Sequence, residues 1–139
     1  MVSSDSGYNP LRWDCQKDGC FNLKRRPKIE VFSGCFPGKI NFGDVDGIVE
    51  LNGKALMLEW KTSLSKSLPT GQKLMYERIT VGKMITVLII VGNAETMDCN
   101  RYSLFFNGIH GKWIEADLVE IKNRIKRWAS WAKSREHVI

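Results

Sequence analysis

Two acidic residues face each other at the open end of a predicted β-hairpin. The segments 42–51 and 54–61 both favour strands, and only Asn52-Gly53 separates them. That dipeptide between alternating apolar residues is the strongest short signal for a two-residue hairpin turn. The turn sets a register in which Asp46 lies opposite Glu59, with Cβ atoms roughly 4.5–5.5 Å apart. Like charges so placed destabilise a sheet, and a cation between them would remove the repulsion.

Lys61 completes an Asp…Glu-x-Lys constellation, whose chemistry is that of a metal-dependent nuclease. It shares a strand face with Glu59 and lies opposite Asp44. The carboxylates of Asp46 and Glu59, together with the backbone carbonyl of Trp60, suit a hard cation such as Mg2+ or Mn2+. That cation would lower the pKa of a water molecule and stabilise charge on a phosphate. Lys61 would orient or deprotonate the water and offset charge in the transition state.

The surrounding pattern predicts an α/β fold in which a mixed central β-sheet is flanked by helices. The run 84–91 is almost continuously apolar and rich in Ile and Val, which is typical of a central strand covered on both faces. In chain order, the expected elements are a strand over 28–32, the hairpin, a helix over 71–81 with Thr70 as its N-cap, strands over 84–91 and 102–106, and a helix over 115–134.

Composition favours one domain over residues 1–139, with an irregular cysteine-containing segment at 1–27. The net charge of +6 favours a polyanionic partner. No apolar run reaches the length of a membrane span, and the first residues lack an apolar signal region. The expectation is a cytoplasmic protein without a membrane partner, with its four cysteines as reduced thiols. Those cysteines are Cys15, Cys20, Cys35 and Cys99.

The residues 43–48 (Gly-Asp-Val-Asp-Gly-Ile) followed by 59–61 (Glu-Trp-Lys) resemble the core motif of the PD-(D/E)XK nuclease superfamily. Downstream, Gln72 and Tyr76 are similar to the Gln-x-x-x-Tyr motif of its RecB-like branch. The resemblance covers about residues 40 to 92. It implies a restriction-endonuclease-like fold, an Mg2+- or Mn2+-dependent deoxyribonuclease and DNA as substrate. It also implies that Asp46, Glu59 and Lys61 are catalytic, with Gln72 and Tyr76 supporting the site or contacting nucleic acid.

The chain departs from that family at its beginning. The family usually has an early helix whose acidic residue joins the metal site, whereas here Glu30 lies in a predicted strand. Either Glu30 substitutes for that residue, or Asp44 supplies the extra carboxylate, or the site holds one metal. The start of the chain is similar to small phage proteins, which would place it in the host cytoplasm.

Two other classes of function stay open. One is a nucleic-acid-binding protein on the same fold that has lost turnover. The other is a zinc-stabilised interaction module built on the four cysteines, although the Cys15-x4-Cys20 spacing is looser than that of usual zinc ligands. The sequence leaves open endo- or exonucleolytic cutting, a homo-oligomer, and a phage or host partner protein.

Overall fold

The computed structural model describes residues 27–62 and 68–134. The chain divides into two compact units, Met1–Gly43 and Asp44–Ile139, each considered by itself. The expectations for Cys15, Cys20 and almost all of the segment 1–27 lie outside the described residues.

The first unit contains a short 3-10 helix, Ile29–Phe32. The prediction of a strand over 28–32 is therefore wrong. The backbone N–H groups of Val31 and Ser33 donate, at 3.1 Å, to the carbonyls three residues earlier. These backbone groups thus find hydrogen-bond partners within the segment and need no neighbouring strand. Phe42 also belongs to this unit, because its ring makes edge contacts with Phe32 and Phe36 at centroid distances of 5.9 and 5.4 Å.

The second unit is a mixed six-stranded sheet with two helices within its described part, in agreement with the predicted α/β class. The strands pair in the order β1-β2-β3-β4-β5, and β6 also pairs with β4. β2 and β3 are parallel, whereas the other pairs are antiparallel. The elements are β1 (Gly47–Leu51), β2 (Lys54–Lys61), α1 (Thr70–Ile79), β3 (Ile85–Gly92), β4 (Cys99–Phe106), β5 (Ile109–His110), β6 (Ile114–Glu115) and α2 (Leu118–Ser134).

The Asn-Gly turn forms as predicted. Asn52 and Gly53 both have positive φ, 55° and 82°, as a tight hairpin turn requires. The expected register holds from the pair Leu51–Lys54 to the pair Gly47–Leu58. However, β1 begins at Gly47 instead of at residue 42. The hairpin is thus shorter at its open end than the sequence pattern indicates.

β3 is the central strand, as its apolar run predicts, and the helices cover its two faces. Val87 and Ile89 are fully buried in the core that includes Tyr76 of α1. Leu88 and Ile90 point to the other face, into the core that includes Trp128 of α2. The sheet is therefore the middle of three layers, because alternate residues of each strand face opposite helices.

The helix and strand limits differ from the predictions mainly at their ends. α1 begins at Thr70, so Pro69 and not Thr70 is the N-cap. The strand expected over 102–106 extends back to Cys99. α2 begins at Leu118, because residues 114–115 pair with β4 as β6. In the described part of the chain, neither helix combines the length and apolar character needed to cross a bilayer.

Candidate active site

Glu59 and Lys61 form an ion pair at the end of β2 furthest from the Asn-Gly turn. Both side chains lie on the α1 face of the sheet, two and four residues after Met57, which packs against the core on that face. Lys61 Nζ lies 3.8 Å from Glu59 Oε2. The Lys61 side chain is 23% exposed and that of Glu59 is 16% exposed, so the pair is largely but not fully removed from solvent.

Asp46 joins this pair in a different way from that predicted. It precedes β1, and its Oδ2 accepts a hydrogen bond of 2.6 Å from the backbone N–H of Trp60. Asp46 and Glu59 are therefore not a ladder pair, because strand pairing stops at Gly47. The Asp46 carboxylate is nevertheless near enough to raise the pKa of Glu59.

The predicted pairing of Asp44 with Lys61 is wrong for the same reason. Asp44 is exposed and lies outside β1. Among the described residues, the ion pair of Lys61 is with Glu59. Asp44 is nevertheless close enough to Glu59 for its charge to contribute to raising the pKa of that carboxyl.

The backbone of Trp60 places a carbonyl on the Asp46 side. In an extended strand, the N–H and C=O of one residue point to the same edge. The N–H of Trp60 donates to Asp46, so the Trp60 carbonyl also points to the β1 side, beyond the start of β1. The indole ring packs on the α2 face of the sheet. Only the backbone of Trp60 therefore serves this site.

The pKa of Glu59 is raised, first by burial and second by the charge of Asp46. The ammonium of Lys61 and a hydrogen bond donated by the Tyr76 hydroxyl oppose this effect. Glu59 thus carries an uncompensated electrostatic cost when it is ionised. A divalent cation between the carboxylates would remove that cost.

Tyr76 and Gln72 lie one turn apart on α1. Tyr76 is only 2% exposed, its ring makes an edge contact with Phe105 at 5.3 Å, and burial beside Glu59 raises the pKa of its hydroxyl. Gln72 is half-buried, and its Oε1 is buried without a hydrogen-bond partner in the described structure. The structure thus brings Tyr76 to Glu59 and leaves Gln72 with an unused acceptor.

None of the remaining described residues predicted for a site lies on the hairpin strands or on α1. Glu30 lies in the 3-10 helix of the first unit. Cys35 and Cys99 are free thiols, and burial raises the pKa of Cys99. Within residues 27–62 and 68–134, no three His, Cys, Asp or Glu side chains are grouped as metal ligands.

The donor set at the hairpin end still fits one hard cation. Asp46 keeps Oδ1 beside the bonded Oδ2, and Glu59 and the Trp60 carbonyl supply further oxygens. Mg2+ is commonly held by one or two carboxylates, with water and substrate phosphate completing its shell. Comparisons of the chain with protein-family models, with curated proteins and with solved structures found no match.

A partly buried Ser–His contact on the same sheet face was not predicted. Ser103 Oγ lies 2.9 Å from His110 Nε2, and the imidazole stacks on Phe105 at 4.0 Å. Burial, followed by the charge of Lys73, lowers the pKa of His110. Ser103 is fully buried and lies two strand spacings from Glu59, about 9.6 Å. This contact could not be predicted from the sequence, because Ser103 and His110 are seven residues apart and meet only through the pairing of β4 with β5.

Proposed function

We propose that this chain is a metal-dependent nuclease that hydrolyses DNA phosphodiester bonds, on a PD-(D/E)XK, restriction-endonuclease-like core. The observation that carries the proposal is the desolvated Glu59–Lys61 pair at 3.8 Å, with the Asp46 carboxylate beside it at the open end of the hairpin. Carboxylates brought together against their own repulsion are typical of a cation site.

In this proposal, Mg2+ or Mn2+ is held by Asp46, Glu59 and the Trp60 carbonyl, and it supplies Lewis acidity toward a phosphate and a water. The Trp60 N–H fixes Asp46, and the Tyr76 hydroxyl fixes Glu59. Lys61 is next to Glu59, where its ammonium can orient the attacking water and offset charge on the phosphate.

The net charge of +6 supports a polyanionic substrate. The chain departs from the family pattern in its extra acidic residue, because Glu30 lies in a short 3-10 helix of four residues. We therefore propose one cation, held by the two carboxylates near the open end of the hairpin.

The test is cleavage of linear, circular, single-stranded and branched DNA in Mg2+, Mn2+ or EDTA. We expect cleavage by the parent in Mg2+ or Mn2+, none in EDTA, and none by Glu59→Gln or Asp46→Asn. Glu50→Gln is the matched control, because Glu50 is on the same hairpin but at the turn, where its carboxylate accepts the Gly53 N–H. Binding of DNA without cleavage under any condition would instead support the binding protein without turnover. Near-stoichiometric zinc in the purified protein would support the zinc module.

A further inference from the structure

A second concave site lies under α2, on the sheet face opposite Glu59. It is a cavity of about 320 Å3, open on one side. Its lining combines aromatic rings with guanidinium groups, and consists of Thr86, Phe106, Arg124, Arg127, Trp128 and Trp131. Four of these residues come from positions 124, 127, 128 and 131 of α2, whose spacing places them along one stripe of the helix. We refer to this cavity as the α2 pocket.

The aromatic wall of the α2 pocket is held in place by packing. Trp128 is 5% exposed, and its indole N–H donates to Thr86 Oγ1 at 3.2 Å. Trp131 is only half-buried, and the Phe106 ring meets it edge-on at a centroid distance of 5.4 Å. Trp131 thus lines the pocket as a partly exposed planar side chain that is packed against a neighbouring ring.

Two cationic side chains line the pocket, and a third lies beside Trp131. Arg124 and Arg127 line the pocket, and neither forms an ion pair with an acidic side chain in the described ranges. Lys54 is only 7% exposed, and its ammonium lies 5.5 Å from the centre of the Trp131 ring. The nearest acid in the helix sequence, Glu120, instead accepts the N–H of Asp117 through Oε1. An anion in the pocket would therefore meet positive charge that the protein itself does not neutralise.

From this combination we infer that the α2 pocket binds a nucleoside phosphate, either free or as one unpaired nucleotide of a strand. The base would stack on Trp131, which accepts any base because every base has a π face. The phosphate would take charge-assisted hydrogen bonds from Arg124 and Arg127. The cavity volume suits one nucleotide and not a duplex. An acidic peptide would satisfy the arginines but would leave the indole without a planar partner.

This site is independent of the proposed active site. Thr86 pairs with Leu56, near the Asn-Gly turn, whereas Glu59 and Lys61 lie toward the other end of β2 and on the other face. Nucleotide binding here needs neither the carboxylates nor a metal. Nucleotide binding in the α2 pocket and nuclease activity can therefore each be present without the other.

The test is a titration of the full chain, in EDTA, followed by the indole N–H signals of its five tryptophans in 15N-resolved NMR spectra. The probes are dTMP, AMP, a hexathymidylate strand and hexaglutamate, and Trp131→Phe assigns the Trp131 signal. Arg127→Gln is compared with Lys126→Gln, which removes the same charge from the preceding residue of α2, likewise exposed but not part of the pocket lining. The dispersion of the spectra verifies that each variant is folded.

We expect saturable shifts of the Trp131 and Trp128 indole signals with a nucleotide probe. Arg127→Gln should weaken binding at least ~10-fold, the scale of losing a charge-assisted hydrogen bond. Lys126→Gln should change it by less than about 2-fold. Binding of dTMP or AMP as tight as that of the strand would identify a free nucleotide, whereas binding of the strand alone would identify an unpaired nucleotide. Either result supports the inference. Equal weakening by both variants, tighter binding of hexaglutamate than of every nucleotide probe, or no shift with any probe would overturn it.

Discussion

Glu59 is the residue at which the electrostatics of the proposed active site converge. Burial and the charges of Asp46 and Asp44 disfavour its ionised form, while Lys61 and Tyr76 favour it. The net result is a raised pKa, which means that ionised Glu59 destabilises the folded protein when no metal is present. A cation bound by these carboxylates would offset the cost of ionising Glu59.

The first prediction concerns the pH dependence of stability in EDTA. Because the pKa of Glu59 is raised in the folded state, the folded chain binds more protons than the unfolded chain between the ordinary value of 4.5 and the raised value. The Glu59 contribution to stability therefore falls as pH rises through that window. The Glu59→Gln variant should lack this fall. Its free energy of unfolding should therefore rise relative to that of the parent as the pH increases through the window. Urea unfolding of both proteins from pH ~4 to ~8 measures the difference.

Glu115→Gln is the control for that series, because Glu115 is an exposed carboxylate in β6. The gain of Glu59→Gln on the parent across that pH range should exceed that of Glu115→Gln. If Glu59→Gln is strongly destabilised at every pH in EDTA, the carboxylate is a structural group and the proposed cation site is wrong.

The second prediction concerns Gln72. Its Oε1 is buried without a hydrogen-bond partner in the described structure, so Gln72→Ala removes an unsatisfied acceptor. The free energy of unfolding should then fall by less than ~0.5 kcal/mol or should rise. DNA cleavage should nevertheless decrease, because this side of α1 carries Tyr76 to Glu59. A variant that cuts DNA as fast as the parent would remove the RecB-like part of the proposal.

At the residue scale, the shared strand face of Glu59 and Lys61 could be predicted from the sequence. The contacts of the residues around them could not. The two-residue spacing of Glu59 and Lys61 places them on one strand face whatever the rest of the fold. The hydrogen bond from Trp60 N–H to Asp46 could not be predicted, because it depends on where strand pairing stops. The burial of the Gln72 acceptor depends on how α1 packs on the sheet, which spacing alone does not determine.

At the element scale, turn chemistry and continuous apolar runs were reliable guides, whereas element ends were not. The Asn-Gly turn and the central strand β3 follow directly from such signals. The segment 28–32 alternates like a strand but lies in a 3-10 helix, because five residues without a partner strand can satisfy their backbone locally. The start of α2 has a signal in Asp117-x-x-Glu120, a capping box that the apolar periodicity does not reveal.

That capping box carries the third prediction. Asp117 Oδ1 accepts the Glu120 N–H at 2.8 Å, and Glu120 Oε1 accepts the Asp117 N–H at 3.0 Å. Asp117→Ala should therefore lower the free energy of unfolding by about 1 kcal/mol, the usual cost of losing such a cap. Glu115→Ala, two residues earlier and outside the helix, should have a smaller effect. Equal losses in the two variants, measured by urea unfolding, would show that the box does not hold the start of α2.

At the scale of the whole Asp44–Ile139 unit, the three-layer order separates two kinds of chemistry. The α1 face holds the carboxylates and Lys61, while the α2 face holds a cavity lined by arginine and tryptophan. Strand alternation produces this separation, because neighbouring residues of β2 point to opposite faces. The proposed hydrolytic site and the inferred nucleotide site therefore share no residues.

The fourth prediction tests the central claim, that the cluster around Glu59 performs hydrolysis and does not merely bind DNA. Lys61 Nζ lies 3.8 Å from Glu59 Oε2, and in the proposed mechanism its charge would act mainly on the developing transition state. The measurement compares Lys61→Ala with the parent for DNA binding in Ca2+ and for the rate of cleavage in Mg2+. Lys122→Ala removes an exposed lysine of α2, the helix on the opposite face of the sheet, and serves as the control.

We expect Lys61→Ala to bind DNA nearly as well as the parent and to cut it at least ~100-fold more slowly, the scale of losing one preorganised electrostatic group. A loss of binding in proportion to the loss of cleavage would show that Lys61 anchors phosphate and takes no part in the chemical step. A parent protein that binds DNA but cuts no substrate with any metal would contradict the central claim.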